Sequence, residues 1–370
     1  MRGGRLNLLL SSRFQLRERY GERDARRVML AIEELTKARA SRGINSQLLL
    51  IEEGLAELKI AGGAIDTITI FQQIVAVADA LERQGDRLES VLIIGGPEII
   101  PFHQEPNPPL YDGDTTIPTD IRYSLRDAGA LMPEWPVGRL PGTTAALLIQ
   151  LLNHATHLHN RQQPLHIHKT FGYSTAAWQE AATAVYTAIS DAPPLLSPPN
   201  VATTLDYSLL NGASVVYCNL HGVRDGPVWY GQAEVTGNYL VALRVEDVQR
   251  LHFHGTIVMS EACYGAAVEG RDERSSMALA FLARGAACFV GATAMSYGPA
   301  TSPLSEADLI AEQFLRALRA GGTNIGRAFL EARANMLLGT LERQPTLDED
   351  DRKTALEFVL YGDLTLLVGV

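Results

Sequence analysis

The chain is short of cysteine. Its 370 residues contain three, at positions 218, 263 and 288. So few thiols exclude a disulfide-stapled scaffold and leave each sulfur free. Long apolar runs are missing too. The first, residues 6–10, is too short and too soon polar for a signal peptide. No stretch approaches the ~20 residues that cross a bilayer, so no membrane is expected. A reducing cytoplasm is the expected compartment. Positive charge is in deficit: 32 Lys and Arg stand against 42 Asp and Glu, a net charge of -10. That balance speaks against a protein holding nucleic acid by its phosphates. What remains is an ordinary globular composition, 46% apolar and 20% charged. The length suffices for two domains, or for one large sheet with a subdomain.

Apolar runs alternate with amphipathic ones. Strands are expected at residues 7–11, 47–51 and 90–94, and helices at 22–42 and 66–83. Residues 101–141 lack periodicity and are rich in Pro, Asp and Gly, which reads as a long loop. A helix is expected to follow, to about residue 160. A second series follows residue 162. It has strands at 168–173, before Leu220, before Glu261 and at 286–290, with helices at 176–189, 275–284, 304–319 and 324–338. Gly321 to Asn324 reads as a helix stop followed by an N-cap. Such alternation means an α/β fold, a parallel sheet with helices on its faces. Two units are expected, residues 1–162 and 163–370. His154, His157 and His159 fall on one helix and read as a polar surface rather than a zinc site, because no acidic base accompanies them.

Two dipeptides carry chemistry. The apolar run Ala213-Ser214-Val215-Val216-Tyr217-Cys218-Asn219-Leu220 delivers His221-Gly222, and Gly255-Thr256-Ile257-Val258-Met259-Ser260-Glu261 delivers Ala262-Cys263. In an open α/β sheet, chemistry collects beyond the carboxyl ends of the strands. There an imidazole can take the thiol's proton and return it to a leaving amine. Gly222 has no side chain to block a substrate carbonyl, so the Gly222 and Cys263 amides could hold an oxyanion. Cys218 and Cys288 sit inside apolar runs as core thiols. Trp229, after the histidine, is a candidate subsite wall, and Glu98 a candidate acid to orient His221.

The strand-His-Gly and strand-Ala-Cys blocks resemble the caspase-like clan of cysteine peptidases, and most nearly the gingipain-type family C25. Four further segments add to the resemblance. They are Val91-Leu92-Ile93-Ile94-Gly95-Gly96-Pro97-Glu98-Ile99-Ile100-Pro101; Thr119-Asp120-Ile121-Arg122-Tyr123 followed by Pro136-Val137-Gly138-Arg139-Leu140-Pro141; Gly285-Ala286-Ala287-Cys288-Phe289-Val290-Gly291-Ala292-Thr293; and Tyr361-Gly362-Asp363-Leu364, where Leu364 replaces the family's proline.

The resemblance implies a caspase-like, mostly parallel sheet in residues 163–370, with an N-terminal Rossmann-like α/β subdomain, 1–162, contributing to the substrate pocket. It implies Cys263 as nucleophile and His221 as base of a cysteine endopeptidase cutting after Arg or Lys. Asp120 matches the acid that receives the basic side chain in arginine-specific gingipains. Tyr297 falls near their aromatic wall. Glu261 stands where metacaspases and clostripain carry an Asp lining the same pocket. The dyad requires no cofactor. Gingipains bind calcium, however, and Asp112, Asp114 and Asp120 are the carboxylates that could hold it here. A protein or peptide is the expected partner. A regulatory partner, a gate or self-cleavage would act through residues 101–141 or 268–276, the latter with Arg271 and Arg274. The rival readings are a catalytically idle scaffold that binds proteins, and a hydrolase of non-peptide acyl groups using the same dyad.

Overall fold

Strands that read as unbroken apolar runs are buried on both faces, as parallel strands under helices must be. Arg5–Ser11, Val215–Asn219, Thr256–Ser260 and Ala286–Ala292 show this most fully. The protein is described here by a computed structural model covering residues 4–109, 111–234 and 237–369.

Among these residues one sheet has twelve strands. From one edge the order is Leu195–Ser197, Thr170–Thr175, Val215–Asn219, Thr256–Ser260, Ala286–Ala292, Phe358–Gly362, Val137–Leu140, Arg87–Ile94, Arg5–Ser11 and Ser46–Leu50, then two two-residue strands. The fold is the mixed α/β, mostly parallel arrangement expected, and the sheet runs unbroken through both halves of the chain. The seam between the halves is Phe358–Gly362, antiparallel to Ala286–Ala292 and parallel to Val137–Leu140. The strands of the first half therefore run opposite to those of the second. Their carboxyl ends lie at opposite ends of the sheet.

One buried cluster fastens the seam. Arg39, from the helix Arg13–Ser41, donates to Asp363 from Nη2 (2.6 Å) and Nε (3.0 Å). His159, near the end of the helix Ala145–Asn160, reaches the same carboxylate from Nε2 at 3.0 Å. All three side chains are buried. Burial alone would raise the carboxyl of Asp363, but Arg39 and His159 hold it well below the usual range. The polar helix surface expected of the histidines is thus corrected at His159, which faces inward because Asp363 needs a second donor.

Residues 101–141 are also corrected. They hold a hairpin of His103–Pro106 with Thr116–Thr119, a 3-10 turn Ile121–Ser124 and the strand Val137–Leu140. Asn107 knits the hairpin's tip, donating from Nδ2 to the carbonyl oxygens of Pro109 (3.2 Å) and Asp114 (2.8 Å) and to Asp112 Oδ1 (2.5 Å). Asp348 and Asp351 form a capping box that starts the helix Glu349–Glu357, which leads straight into the seam strand.

Candidate active site

The strands Val215–Asn219 and Thr256–Ser260 are parallel neighbours, with Val215 opposite Ile257 and Cys218 opposite Ser260. Their carboxyl ends therefore emerge side by side, and so do the loops that follow. Gly222 lies against the backbone of Cys263: a Cβ built on Gly222 would stand 1.8 Å from the Cys263 carbonyl oxygen and 3.2 Å from its nitrogen. The two dipeptides expected to work together are thus in backbone contact. Among the described residues the amides of Gly222 and Cys263 donate to no other backbone group.

Cys263 is partly exposed, while Cys218 and Cys288 are sealed in the core. The Cys263 sulfur receives the Ser296 N–H at 3.3 Å and lies 3.4 Å from the Ser296 carbonyl oxygen. Burial pushes its thiol up to about 11, against the downward pull of the Ser296 amide. Glu357 faces it from the last residue of the helix Glu349–Glu357, its own carboxyl held well above the usual range by burial. The residue after Cys263, Tyr264, has φ 56°, a left-handed conformation that costs a non-glycine residue ~1 kcal/mol or more.

His221 is fixed on every side. Its backbone forms a two-bond antiparallel bridge with Tyr230. Its ring packs at 4.2 Å between centroids on Trp178 and at 4.7 Å on the edge of Tyr239. Nε2 is 3.0 Å from Gln232 Oε1. Gln232 Nε2 donates to the Gly237 carbonyl oxygen at 2.9 Å, which sets the amide's orientation and leaves its oxygen facing the ring. The proton therefore sits on His221 Nε2, and Nδ1 is the basic nitrogen. Burial lowers the imidazole, and the Gln232 hydrogen bond partly opposes it. At neutral pH the resting site holds a neutral thiol and a neutral imidazole. The acid limb of kcat/KM is accordingly expected below pH 6.5. Gln232→Leu should move it lower still, by roughly half a unit to one unit for the loss of one hydrogen bond. An unmoved limb in the variant would show that Gln232 does not set this histidine.

Several expectations meet a different arrangement. Asp120, at the root of the hairpin, gives both oxygens to the fully buried Arg139, at 2.6 and 2.8 Å. The carboxylate expected to receive a substrate's base already holds one of the chain's own. Glu98 lies beyond the carboxyl end of Arg87–Ile94, hence at the other end of the sheet, and accepts from Tyr20 Oη at 3.2 Å. Gln232 orients the histidine in its place. Trp229 is buried in the core, 6.5 Å from the Phe281 ring, and walls no cleft. Trp178 and Tyr239 are the aromatics at the histidine. Calcium does not fit the three aspartates either, since it needs six to eight convergent oxygens. Asp112 is paired with Lys353, Asp114 with Arg224 and Lys353, and Asp120 with Arg139. The Lys353 ammonium fills the space between two of them, and it holds Asp112 low although burial alone would raise it. Among the described residues no three His, Cys, Asp or Glu converge as metal ligands.

Glu261, two residues before Cys263, is buried. Burial and the neighbouring Asp308 push its carboxyl well above the usual range, and burial lifts Asp308 to about 7. Neither is in an ion pair among the described residues, and each carboxyl bears on the other. Tyr297 follows Ser296 in the loop that touches the sulfur, and its hydroxyl is 3.3 Å from Asp112 Oδ2. Beside Tyr264 a cavity of about 500 Å³ opens between the hairpin and residues 264–275, lined by Gln104, Pro118, Glu269, Arg271 and Thr293 among others. Arg271 points back into the protein there, donating to the Arg224 carbonyl oxygen.

No curated protein sequence matches the chain. Among solved structures it is similar to the Arg-specific cysteine proteinase gingipain R, with a TM-score of 0.68 and 14% identity over 100% of this chain and 79% of that one. It is similar also to the complex of the pro- and mature domains of RgpB from Porphyromonas gingivalis, with a TM-score of 0.67 and 13% identity over 99% and 80%. At these identities the likeness is one of fold. The family model described as peptidase family C25 matches residues 24–368. The chain belongs to peptidase family C25 and is a cysteine-type endopeptidase.

Proposed function

We propose that Cys263 and His221 form the catalytic dyad and that the enzyme cuts after Arg or Lys. The observation that carries the dyad is the backbone contact of Gly222 with Cys263. His221 Nδ1 takes the thiol proton as the sulfur attacks the scissile carbonyl carbon. The resulting oxyanion is held by the Gly222 and Cys263 amides, which donate to no other backbone group among the described residues. Collapse breaks the C–N bond, and the amine departs with the proton from the imidazolium. Water, deprotonated by the same imidazole, then hydrolyses the thioester and returns the proton to the sulfur. A resting neutral pair suits this route, because the proton moves only when a carbonyl is in place.

Glu261 and Asp308 support the basic preference. Two buried carboxyl groups side by side keep a proton between them for want of a cation. An arginine or lysine side chain would supply the cation and its donors and expel that proton. A neutral side chain would leave the acids as they are.

A fluorogenic panel with Arg, Lys, Asn and Asp before the scissile bond tests both parts. Wild type is expected to turn over the Arg and Lys peptides, and Cys263→Ala none. Asp308→Asn should lower kcat/KM for the Arg peptide by on the order of 30-fold, the scale of removing one partner from a buried charge pair. Equal turnover of all four peptides would remove the basic preference. Cleavage surviving in Cys263→Ala would remove the dyad.

A further inference from the structure

The hairpin tip belongs to the first half of the chain, yet the Asp114 side chain meets residues of the second. Its carboxylate is buried. Oδ2 accepts the Met295 N–H at 2.9 Å, and Tyr264 Oη lies 3.1 Å from both oxygens. Oδ1 also accepts from Arg224, whose guanidinium lies over the Tyr264 ring, 5.5 Å from its centroid. Lys353 Nζ stands 3.7 Å away and balances the charge. Met295, Tyr264 and Arg224 are each one or two residues from the site. Met295 precedes Ser296, whose amide holds the sulfur. Tyr264 follows Cys263 and is held in a strained left-handed conformation. Arg224 lies two residues beyond Gly222.

We propose that Asp114 is a positioning residue for the nucleophile: one carboxylate from the first half of the chain sets three loops of the second, and through Met295 it aims the Ser296 amide at the Cys263 sulfur. It touches neither thiol nor substrate and acts through those loops. The proposal rests on the dyad reading above. Its role is distinct from that of Asp112, which meets Lys353 and the Tyr297 hydroxyl and bonds neither the Met295 amide nor Tyr264 nor Arg224.

A rotated Ser296 amide would leave the sulfur with Lys353 and the smaller pull of its own backbone amide to favour its thiolate, against burial and Glu357, with His221 the remaining ionisable group. The thiol would then ionise at higher pH. The test is the rate of Cys263 alkylation by iodoacetamide against pH, read by mass spectrometry. Cys218 and Cys288 are sealed and do not compete. Asp114→Ala is expected to slow alkylation at pH 7 about 10-fold, to move the profile upward, and to lower kcat ~10-fold or more while KM changes far less, the pattern of lost positioning. Tyr264→Phe, which removes one bond and keeps the ring, should shift the profile the same way by a smaller amount. It decides the matter if the alanine variant does not fold. Asp114→Ala and Tyr264→Phe proteins with the wild-type alkylation profile would overturn the proposal. The measurement uses no peptide, so a wild type that cuts none of the panel would sink the dyad reading and still leave the alkylation profiles to decide Asp114.

Discussion

Gly222→Ala is expected to retain less than about a hundredth of the wild-type kcat/KM, since a displacement near 1 Å at a reacting centre costs on the order of 100-fold. The added methyl would stand 1.8 Å from the Cys263 carbonyl oxygen and 2.9 Å from the carbonyl carbon. Real carbon atoms do not approach so closely, and both partners are backbone, so no side chain can swing aside. The loops must part, carrying the Gly222 amide from the Cys263 amide and the imidazole from the sulfur. The fold should survive, because both residues lie in loops beyond the strand ends. Circular dichroism and peptide turnover together check this. A folded Gly222→Ala enzyme with wild-type kcat/KM would mean that the contact has no part in the chemistry.

Asp363→Ala should be the most destabilising change outside the site. It would leave Arg39 uncompensated in a fully buried place and strip His159 of its acceptor. Removing one partner of such a pair costs ~3–5 kcal/mol, read as a fall in the denaturant midpoint. Replacing Arg39 by Met as well should recover much of the loss, because an apolar filling leaves no buried charge. The sign with pH is fixed. Asp363 has a folded value well below its unfolded one, near 3.9. Its contribution is whole above about pH 4 and disappears as pH falls through the depressed folded value. A midpoint for Asp363→Ala equal to that of wild type at pH 7 would show that the seam is held elsewhere.

The strands that bring His221-Gly222 and Ala262-Cys263 side by side were legible because each is local: a buried strand reads as an apolar run, and its end names the next residue. The seam strand was not legible as such. Five residues, Phe358–Gly362, follow directly on a helix, and no pattern says that they pair with strands from both ends of the chain. Gln232 escaped for a similar reason. It reaches the histidine because Val228–Gln232 folds back beside the His-Gly loop, and glutamine carries no signal of its own. The acids show the limit most plainly. Asp120, Asp112 and Asp114 were visible as carboxylates free to bind something, and their true partners, Arg139, Lys353 and Arg224, lie 19 to 241 residues away. Asp308 was hidden inside an ordinary helix start and has meaning only beside Glu261.

The order of strands bears on how the enzyme is made. During synthesis the first half can assemble its strands early, and so can the second up to Ala286–Ala292. Both then wait with an open, apolar edge until residues 358–362 leave the ribosome and zip them together. Glu357 and Lys353, which meet the thiol's surroundings, arrive in the same stretch. The groups around the Cys263 thiol are thus complete only once the strand that joins the two halves has emerged.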